Sequence, residues 1–502
     1  MSVFCGIGVC QACVAPDGTR PCLTTTAPAS PDPGAPDSQQ ITDTQAKTAP
    51  GSMHNRDPQQ EEELVVVGAG PAGLSAALAA ADAGVRVLVV DRGGKPGGQY
   101  LRQSTVRENT PPALIQRAQA HERIRFLLGH EIWRATREQL EIADVEGRTT
   151  RVVRAATIVL ATGAYDRVVP FPGWELPGVV TVGGAQAQLK GLGIKVGQRV
   201  LVTGTGPLLL SLAVSLAEAG VEVVAVADPV RSRAWFRHFT TVVRAPRKLL
   251  QAAAYRGRLL RHRVPVWAGW EVREITPDRD VMIAKLRCGT KERAEIVDTI
   301  AVGHGFTPQV ELASALGCAL LVDPRDGSPI AQVDADLRTS QAGVFAAGEL
   351  AGVGGADSAY ATGTLAGLAA ARHLGRLDES AYQVASKPWR RRAAAARRFA
   401  DALHKVHGFA PGWSARVSDE TVLCRCEGVT FGAVRAAQAL GADDPRAVKL
   451  LTRAGMGRCQ GRLCGLSAAD VLGCAPLPYA NRPIATPIPL RLLISQDQLE
   501  ES

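Results

Sequence analysis

Two stretches of the chain share one pattern of apolar and polar positions. In the first, four consecutive apolar residues, Leu64 to Val67, run into Gly68, Gly70 and Gly73. An Ala/Leu-rich stretch of helical length follows, then a second apolar run from Val85 to Val90 that ends on Asp91. An apolar run without alternation predicts a strand buried on both faces. Strand, turn, helix and strand in that order predict a parallel βαβ unit. The second stretch, Val200 to Asp228, repeats the pattern with Gly204 and Gly206 but carries Leu209 where a third glycine would stand. Further strands are expected at Ile124–Leu128, Arg151–Ala155, Thr157–Leu160 and Gly343–Ala347, and a helix from about Ala359.

The glycines carry chemistry. Gly68 permits the tight turn, Gly70 lets the backbone approach a pyrophosphate, and Gly73 lets helix and strand pack closely. The helix that starts at Pro71-Ala72 offers unpaired N–H groups and a positive dipole end to phosphates. Asp91 can accept bonds from ribose hydroxyls, with Arg92 beside it. The glycine-rich loop Gly93 to Gln99 can run alongside a flavin, with Gly98 and Gln99 near the ring, or be a plain surface turn. The turn Ala161, Thr162, Gly163 is similar to one that recurs in two-dinucleotide flavoproteins, where it crosses from the flavin domain into a nicotinamide-type domain. Gly348-Glu349 ends the late strand, where the acid faces ribityl hydroxyls and the next helix N-terminus faces the pyrimidine end of the flavin. At the second turn, Leu209 is expected to push the helix from the strand and crowd a pyrophosphate. NAD(P) binding through Gly204, Gly206 and Asp228 is therefore left open.

Of the eleven cysteines, eight fall in two tight clusters. Cys5, Cys10, Cys13 and Cys22 follow the start of a plant-type [2Fe–2S] spacing. Only four residues precede Cys5, so a mis-assigned start, a domain completed by another subunit and a remnant without a cluster all stay open. Cys424 and Cys426 are one residue apart, Cys459 and Cys464 four apart, in a glycine-rich setting with Arg458 and Arg462. A one-residue gap suits two thiolates on one iron, and the arginines offset an anionic cluster. Zinc is the alternative at both sites. Cys288, Cys318 and Cys474 read as small buried hydrophobes. Clustered spacing points to a reducing compartment and ligation rather than disulfides.

Composition changes this picture little. The 502 residues are 46% hydrophobic and 21% charged, which predicts a globular chain of about three domains. No signal peptide is read at Met1. The long uncharged run Val200–Ala217 is better explained by strand, turn and helix than by a membrane span. The net charge of +9 comes with no nucleic-acid motif. From Pro229 to Trp270 there is no acidic residue, and ten Arg and Lys residues interleave with aromatics. This stretch reads as a solvated helical insertion, a partner surface or a dock on anionic lipid; the partner surface is the expectation. No Ser/His/Asp arrangement is evident, so no catalytic side chain is assigned. No CxxC sits beside either dinucleotide pattern, which argues against a disulfide exchanger.

Taken together, GAGPAG, GGKPGGQ, ATGAYDRVVPFPGWELPGV, GTGPLLL, AAGE and the C-x-C…GMGRCQGRLC tail make residues 62 to 475 resemble a family. Its members are the B subunits of hydrogen cyanide synthases, the A subunits of opine oxidases and the alpha subunits of dye-linked proline and D-hydroxyproline dehydrogenases. The tail resembles the bacterioferritin-associated ferredoxin [2Fe–2S] domain, and residues 1–25 resemble a separately encoded ferredoxin-like subunit. The implied fold class is α/β: a two-dinucleotide-binding-domain flavoprotein (a Rossmann-like FAD domain with an inserted NAD(P)-type domain) and a small helical [2Fe–2S] domain. The implied division is a ferredoxin-like segment (1–25), linker (26–61), first FAD-binding segment (62–168), NAD(P)-type domain (169–299), second FAD-binding segment (300–378), basic helical connector (379–419), [2Fe–2S] domain (420–476) and loose tail (477–502). The resemblance implies FAD, one or two [2Fe–2S] clusters, and a hetero-oligomer with a substrate-oxidising subunit similar to D-amino-acid oxidases. It implies electron delivery to a quinone or dye. The expected location is cytoplasmic, including the inner face of the membrane as a peripheral site. A stand-alone NAD(P)H-dependent reductase and a non-enzymatic sensing protein are the competing readings.

Overall fold

The computed structural model describes residues 60–106, 110–147, 149–231, 245–408, 413–476 and 484–489, with Ala234, Trp235, Arg237, Val243 and Leu492 besides. The cysteines at 5, 10, 13 and 22 lie outside them.

The first βαβ unit forms as the apolar runs predict. Strand β1 (Gln60–Val67), helix α1 (Pro71–Asp82) and β2 (Val87–Asp91) are followed by α2 (Ala113–Ala120) and β3 (Ile124–Leu128). Strands β4 (His130–Ala135), β5 (Leu140–Asp144) and β6 (Thr150–Leu160) complete the first pass. The two strands expected at 151–155 and 157–160 are one strand, β6. Its first half pairs antiparallel with β5, and its second half pairs parallel with β1 and with the late strand β19 (Val344–Ala346). The sheet order is β3-β2-β1-β6-β5-β4, with β19 on the other side of β6. The four apolar residues of β1 pair with Val87–Val90 and with Thr157–Leu160, so both sides of the strand are covered by neighbours.

Segments β7 (Ala164–Asp166) and β8 (Val179–Thr181), with helix α3 (Val182–Ala187), lead into the second unit. There β9 (Arg199–Gly204), α4 (Leu208–Glu218), β10 (Glu222–Asp228), α5 (Pro246–Arg261) and β11 (Val266–Ala268) repeat the plan. The parallel sheet β11-β10-β9-β15-β8 takes β15 (Thr299–Gly303) from the return. Between β11 and β15 an antiparallel meander, β12 (Glu271–Asp278), β13 (Val281–Cys288) and β14 (Lys291–Val297), covers one face. The chain re-enters the first domain through β16 (Phe306–Pro308), α6 (Glu311–Ala315) and the hairpin β17 (Leu320–Val322)–β18 (Pro329–Ala331) before β19.

Helix α7 (Gly355–His373) lies on α1 at a distance only glycine permits. A Cβ on Gly363 would stand 2.1 Å from the Ala72 carbonyl oxygen, and one on Gly367 2.2 Å from that of Ala76. Helix α8 (Glu379–Val406) runs 28 residues and packs on α7 through buried Tyr382. The Tyr382 hydroxyl donates to Asp336, which also accepts from Arg372 and Arg390. The cysteine module closes the chain with β20 (Val422–Cys424), β21 (Val429–Thr430), α9 (Phe431–Ala439), α10 (Pro445–Thr452) and α11 (Gly465–Leu472). Beyond the module, the Ala485 N–H donates to the Trp133 carbonyl on β4, and Leu492 packs on Trp133. An unpaired edge strand with a buried Trp gives this proline-rich stretch something to pair with and pack on.

Candidate functional site

The glycines of the first turn act as their spacing predicts. A Cβ on Gly68 (φ +106°) would stand 2.3 Å from the Ala161 carbonyl oxygen, and one on Gly73 1.7 Å from that of Gly68. Gly70 differs: the nearest atom to a Cβ there is the Gly98 Cα at 4.0 Å, and the space beyond is open cavity. The loop from Gly93 to Gln99 folds over this turn. The Gly97 N–H donates to the Ala69 carbonyl, and Gly98 (φ +59°) lies so near Gly70 that a Cβ would reach 2.9 Å from its Cα. Gln99 accepts a bond from Arg102 at 2.6 Å. Asp91 is already engaged: one carboxylate oxygen accepts from the Ala69 N–H at 2.5 Å, the other from the Gly93 N–H at 2.6 Å. Its second lone pairs stay available to a ribose. Burial pushes its carboxyl above the usual range, against these two bonds. Arg92 pairs with Glu131 at 3.6 Å.

At the other end of the same cavity, Thr162 donates to the Gln309 carbonyl and Gly163 (φ +74°) turns the chain away. The Gly348 N–H donates to Thr362 Oγ1, and Gly348 (φ +71°) lies against Ala72. Glu349 carries the most informative geometry. One carboxylate oxygen accepts the Gly355 N–H at 2.9 Å, while the other is buried without a partner. Burial raises its pKa to about 7. Helix α7 therefore begins at Gly355, four residues before the position expected, because the Glu349 carboxylate caps it.

These residues line one cavity of about 2230 Å³. The groups in it fit FAD. Gly70 leaves space that any side chain would fill, the N-terminus of α1 faces that space, and the orphaned Glu349 oxygen awaits a hydroxyl donor. Among the described residues, no cysteine lines the cavity. A third buried carboxyl, beside those of Asp91 and Glu349, does: Asp166 accepts from Thr181, Gly183 and Gly184, and burial raises its pKa to about 6.

The second turn opens on the same cavity. Gly204 (φ +128°) packs on Gly303, with a Cβ position 1.7 Å from its carbonyl oxygen, and Gly206 (φ +102°) faces open space. Leu209 lines the wall of this cavity. It is 1% exposed and fills the interface of α4 with Val182 and Val202. Asp228, at the ribose position, bonds to the Val230 N–H and lies 3.7 Å from His407 at the end of α8. His407 stacks edge-on with Trp235.

The four C-terminal cysteines meet. Cys426 and Cys459 sulfurs are 3.7 Å apart, Cys424 bonds to Cys464, and the Gly455 N–H points at Cys424 Sγ. The contacting pairs run between the two segments, Cys424 with Cys464 and Cys426 with Cys459. Within each pair the hydrogen bond favours one thiolate: Cys424 is pulled down to about 6 by Cys464, whose own thiol is pushed up. Cys459 is likewise lowered to about 7, and Cys426 is raised. Among the described residues, no three His, Cys, Asp or Glu side chains converge as ligands of a single ion.

Long-range contacts that no motif announced hold this module against the flavin cavity. Trp174 donates to the Val422 carbonyl at 2.6 Å, and Arg425 donates to the carbonyls of Leu176 and Val179. Arg462, between Cys459 and Cys464, donates to Glu311 at 2.9 Å and to the Ala485 carbonyl at 2.8 Å. Arg462, Glu311 and Tyr165 all line the cavity, and Tyr165 shares a packed cluster with Cys459. Tyr165 lies inside the conspicuous ATGAYDR stretch, which marked it only as belonging to a crossover.

Fold and site define an FAD-dependent oxidoreductase with an attached [2Fe–2S] module. Comparison with known proteins agrees. The pyridine nucleotide-disulphide oxidoreductase family model matches residues 62–371, and the BFD-like [2Fe-2S] binding domain matches 422–473. The chain belongs to the pyridine nucleotide-disulphide oxidoreductase family. The A subunit of opine oxidase from Agrobacterium tumefaciens is 34% identical over 449 residues, covering 82% of this chain and 85% of that one. The HcnB subunit of hydrogen cyanide synthase from Pseudomonas aeruginosa is 30% identical, over 80% and 90% of the two chains. The crystal structure of L-proline dehydrogenase from P. horikoshii shares the fold, with a TM-score of 0.61, 17% identity and coverage of 87% of this chain and 80% of that one. FAD and a [2Fe–2S] cluster are thus this chain's cofactors.

Proposed function

We propose that this chain is the electron-transferring subunit of an amino-acid or opine dehydrogenase complex. The observation that carries the reading is the shared wall: Tyr165 borders the flavin cavity on one side and packs with Cys459 on the other. FAD accepts electrons in pairs and can release them singly, and a [2Fe–2S] cluster takes one at a time. The chain's own residues hold the two sites at fixed separation. Trp174, Arg425 and Arg462 fix the module, and Glu349 and Gly70 fix the flavin end.

The donor is a CH–NH or CH–NH2 compound, oxidised on a separate subunit similar to D-amino-acid oxidases, and the acceptor is a quinone or dye. Relatives named as subunits of opine oxidase, hydrogen cyanide synthase and sarcosine oxidase support this reading. The flavin site takes Gly68, Gly70, Pro71, Ala72, Gly73, Asp91, Arg92, Gly98, Gln99, Thr162, Gly163, Gly348 and Glu349. The cluster site takes Cys424, Cys426, Cys459 and Cys464.

Co-purification tests it. The chain expressed with a D-amino-acid-oxidase-like subunit reduces dye with an amino acid or opine, and neither polypeptide does so by itself. Dye reduction by the isolated chain with an amino acid would reject the division of labour. A second reading, direct reduction by NAD(P)H, draws support from the open space at Gly206. Rapid bleaching of the flavin by NADH in the isolated chain would favour it.

A further inference from the structure

Helix α5 wears its apolar face on the outside. Of its 16 residues Leu259 alone is buried. Leu249, Leu250 and Leu260 are 43%, 72% and 63% exposed. At about 100° per residue, Pro246, Leu249, Leu250, Ala253, Gly257 and Leu260 fall within an arc of roughly 100°. Leu259 and Tyr255 lie on the opposite side and pack on the core beneath α4. A surface helix normally turns its apolar arc inward; this one turns it to solvent, and a Cβ on Gly257 would meet nothing within 4 Å.

Arginines flank the arc, with Arg256 on one side and Arg247 and Arg261 on the other. Among the described residues, these three form no ion pair, whereas Arg258 is taken by Glu218 and Lys248 by Asp357. No acidic residue occurs from Pro229 to Trp270. A protein partner for this face would have to present an acidic surface with an apolar strip complementary to it. A convex apolar ridge rimmed by cations of one sign is what lies in the plane of an anionic bilayer surface, with leucines among the acyl chains and arginines at the phosphates.

We propose that α5 docks this protein on an anionic phospholipid surface. The same helix walls the cavity through Lys248, Gln251, Ala252 and Tyr255, with Pro246, Arg247 and Arg256 also in its lining. Docking therefore sets one wall of the flavin cavity against the membrane, where a lipid-soluble acceptor would be concentrated. The inference rests on the surface of α5 and stands apart from the identity of the donor.

The test is co-sedimentation of the full-length flavin-loaded protein with phosphatidylcholine vesicles, with and without about one-third phosphatidylglycerol. The protein is expected to pellet with the anionic vesicles and to be released by high salt. The exposed double variant Leu250→Glu/Leu260→Glu, with flavin content and melting temperature unchanged, is expected to bind about tenfold more weakly or worse. Absence of binding to anionic vesicles, or equal binding by the variant, overturns the proposal. So does a variant that still pellets but sheds a co-purifying acidic protein, which would give the ridge to a protein partner.

Discussion

Arg462 of the cysteine module donates from Nε to the Glu311 carboxylate of the flavin-type domain, 2.9 Å across the seam between them. The arginine sits between two cluster cysteines, and both partners line the flavin cavity. One ion pair thus ties the position of one redox site to the other.

Removing the cation is expected to loosen the seam. Arg462→Met leaves Glu311 without its partner, at about 2 kcal/mol, less than for a fully buried pair because Glu311 keeps some water contact. The module should become sensitive to limited proteolysis while flavin content stays at the wild-type level. An unchanged digestion pattern would show that Trp174 and Arg425 suffice.

Gly70→Val is expected to abolish FAD retention. The position has no protein neighbour closer than 4.0 Å to a Cβ, so the fold accepts the side chain, which instead occupies the space of the pyrophosphate. Circular dichroism should match wild type and the purified protein should be colourless. Full flavin occupancy would refute the assignment.

Glu349 gives the flavin-free protein a pH dependence. Its folded pKa of about 7 lies above the ordinary 4.5, so folding favours the protonated form. That stability is fully present below about 4.5 and is lost as pH rises through 7. Asp166 and Asp228, each raised to about 6, slope the same way. The difference between wild type and Glu349→Gln isolates the glutamate: the melting temperature of wild type should fall more steeply between pH 5 and about 7.5. Parallel profiles would show that Glu349 is not held neutral.

Cys459→Ser is expected to leave flavin bound, lower the iron content and slow dye reduction by a reducing partner subunit. Unchanged dye reduction would remove the cluster from the electron path.

The features legible in advance are those where the backbone leaves no choice. Gly68 and Gly73 sit where a Cβ would overlap a carbonyl, and a residue so constrained marks itself in any sequence. The features that were not legible depend on distant partners. The α7 start at Gly355 hides in a Gly/Asp/Ser run that reads as loop until the Glu349 carboxylate caps it. Strands β4 and β5 lack strict alternation, because burial on both faces erases the period of two. Leu209 looked like an intruder in a phosphate turn and is a core residue of α4. Tyr165, Trp174 and Arg425 hold the two redox modules together through contacts that leave no local mark.

The most direct measurement is anaerobic purification with flavin, iron and sulfide analysis, followed by stepwise dithionite reduction monitored by absorbance and EPR. The account predicts FAD and a [2Fe–2S] signal from the same chain, reduced together and reoxidised together by dye. Four irons per flavin would add a cluster at Cys5, Cys10, Cys13 and Cys22; two would leave the C-terminal site alone. Iron-replete protein with flavin but no iron–sulfur signal, or with neither, would contradict it.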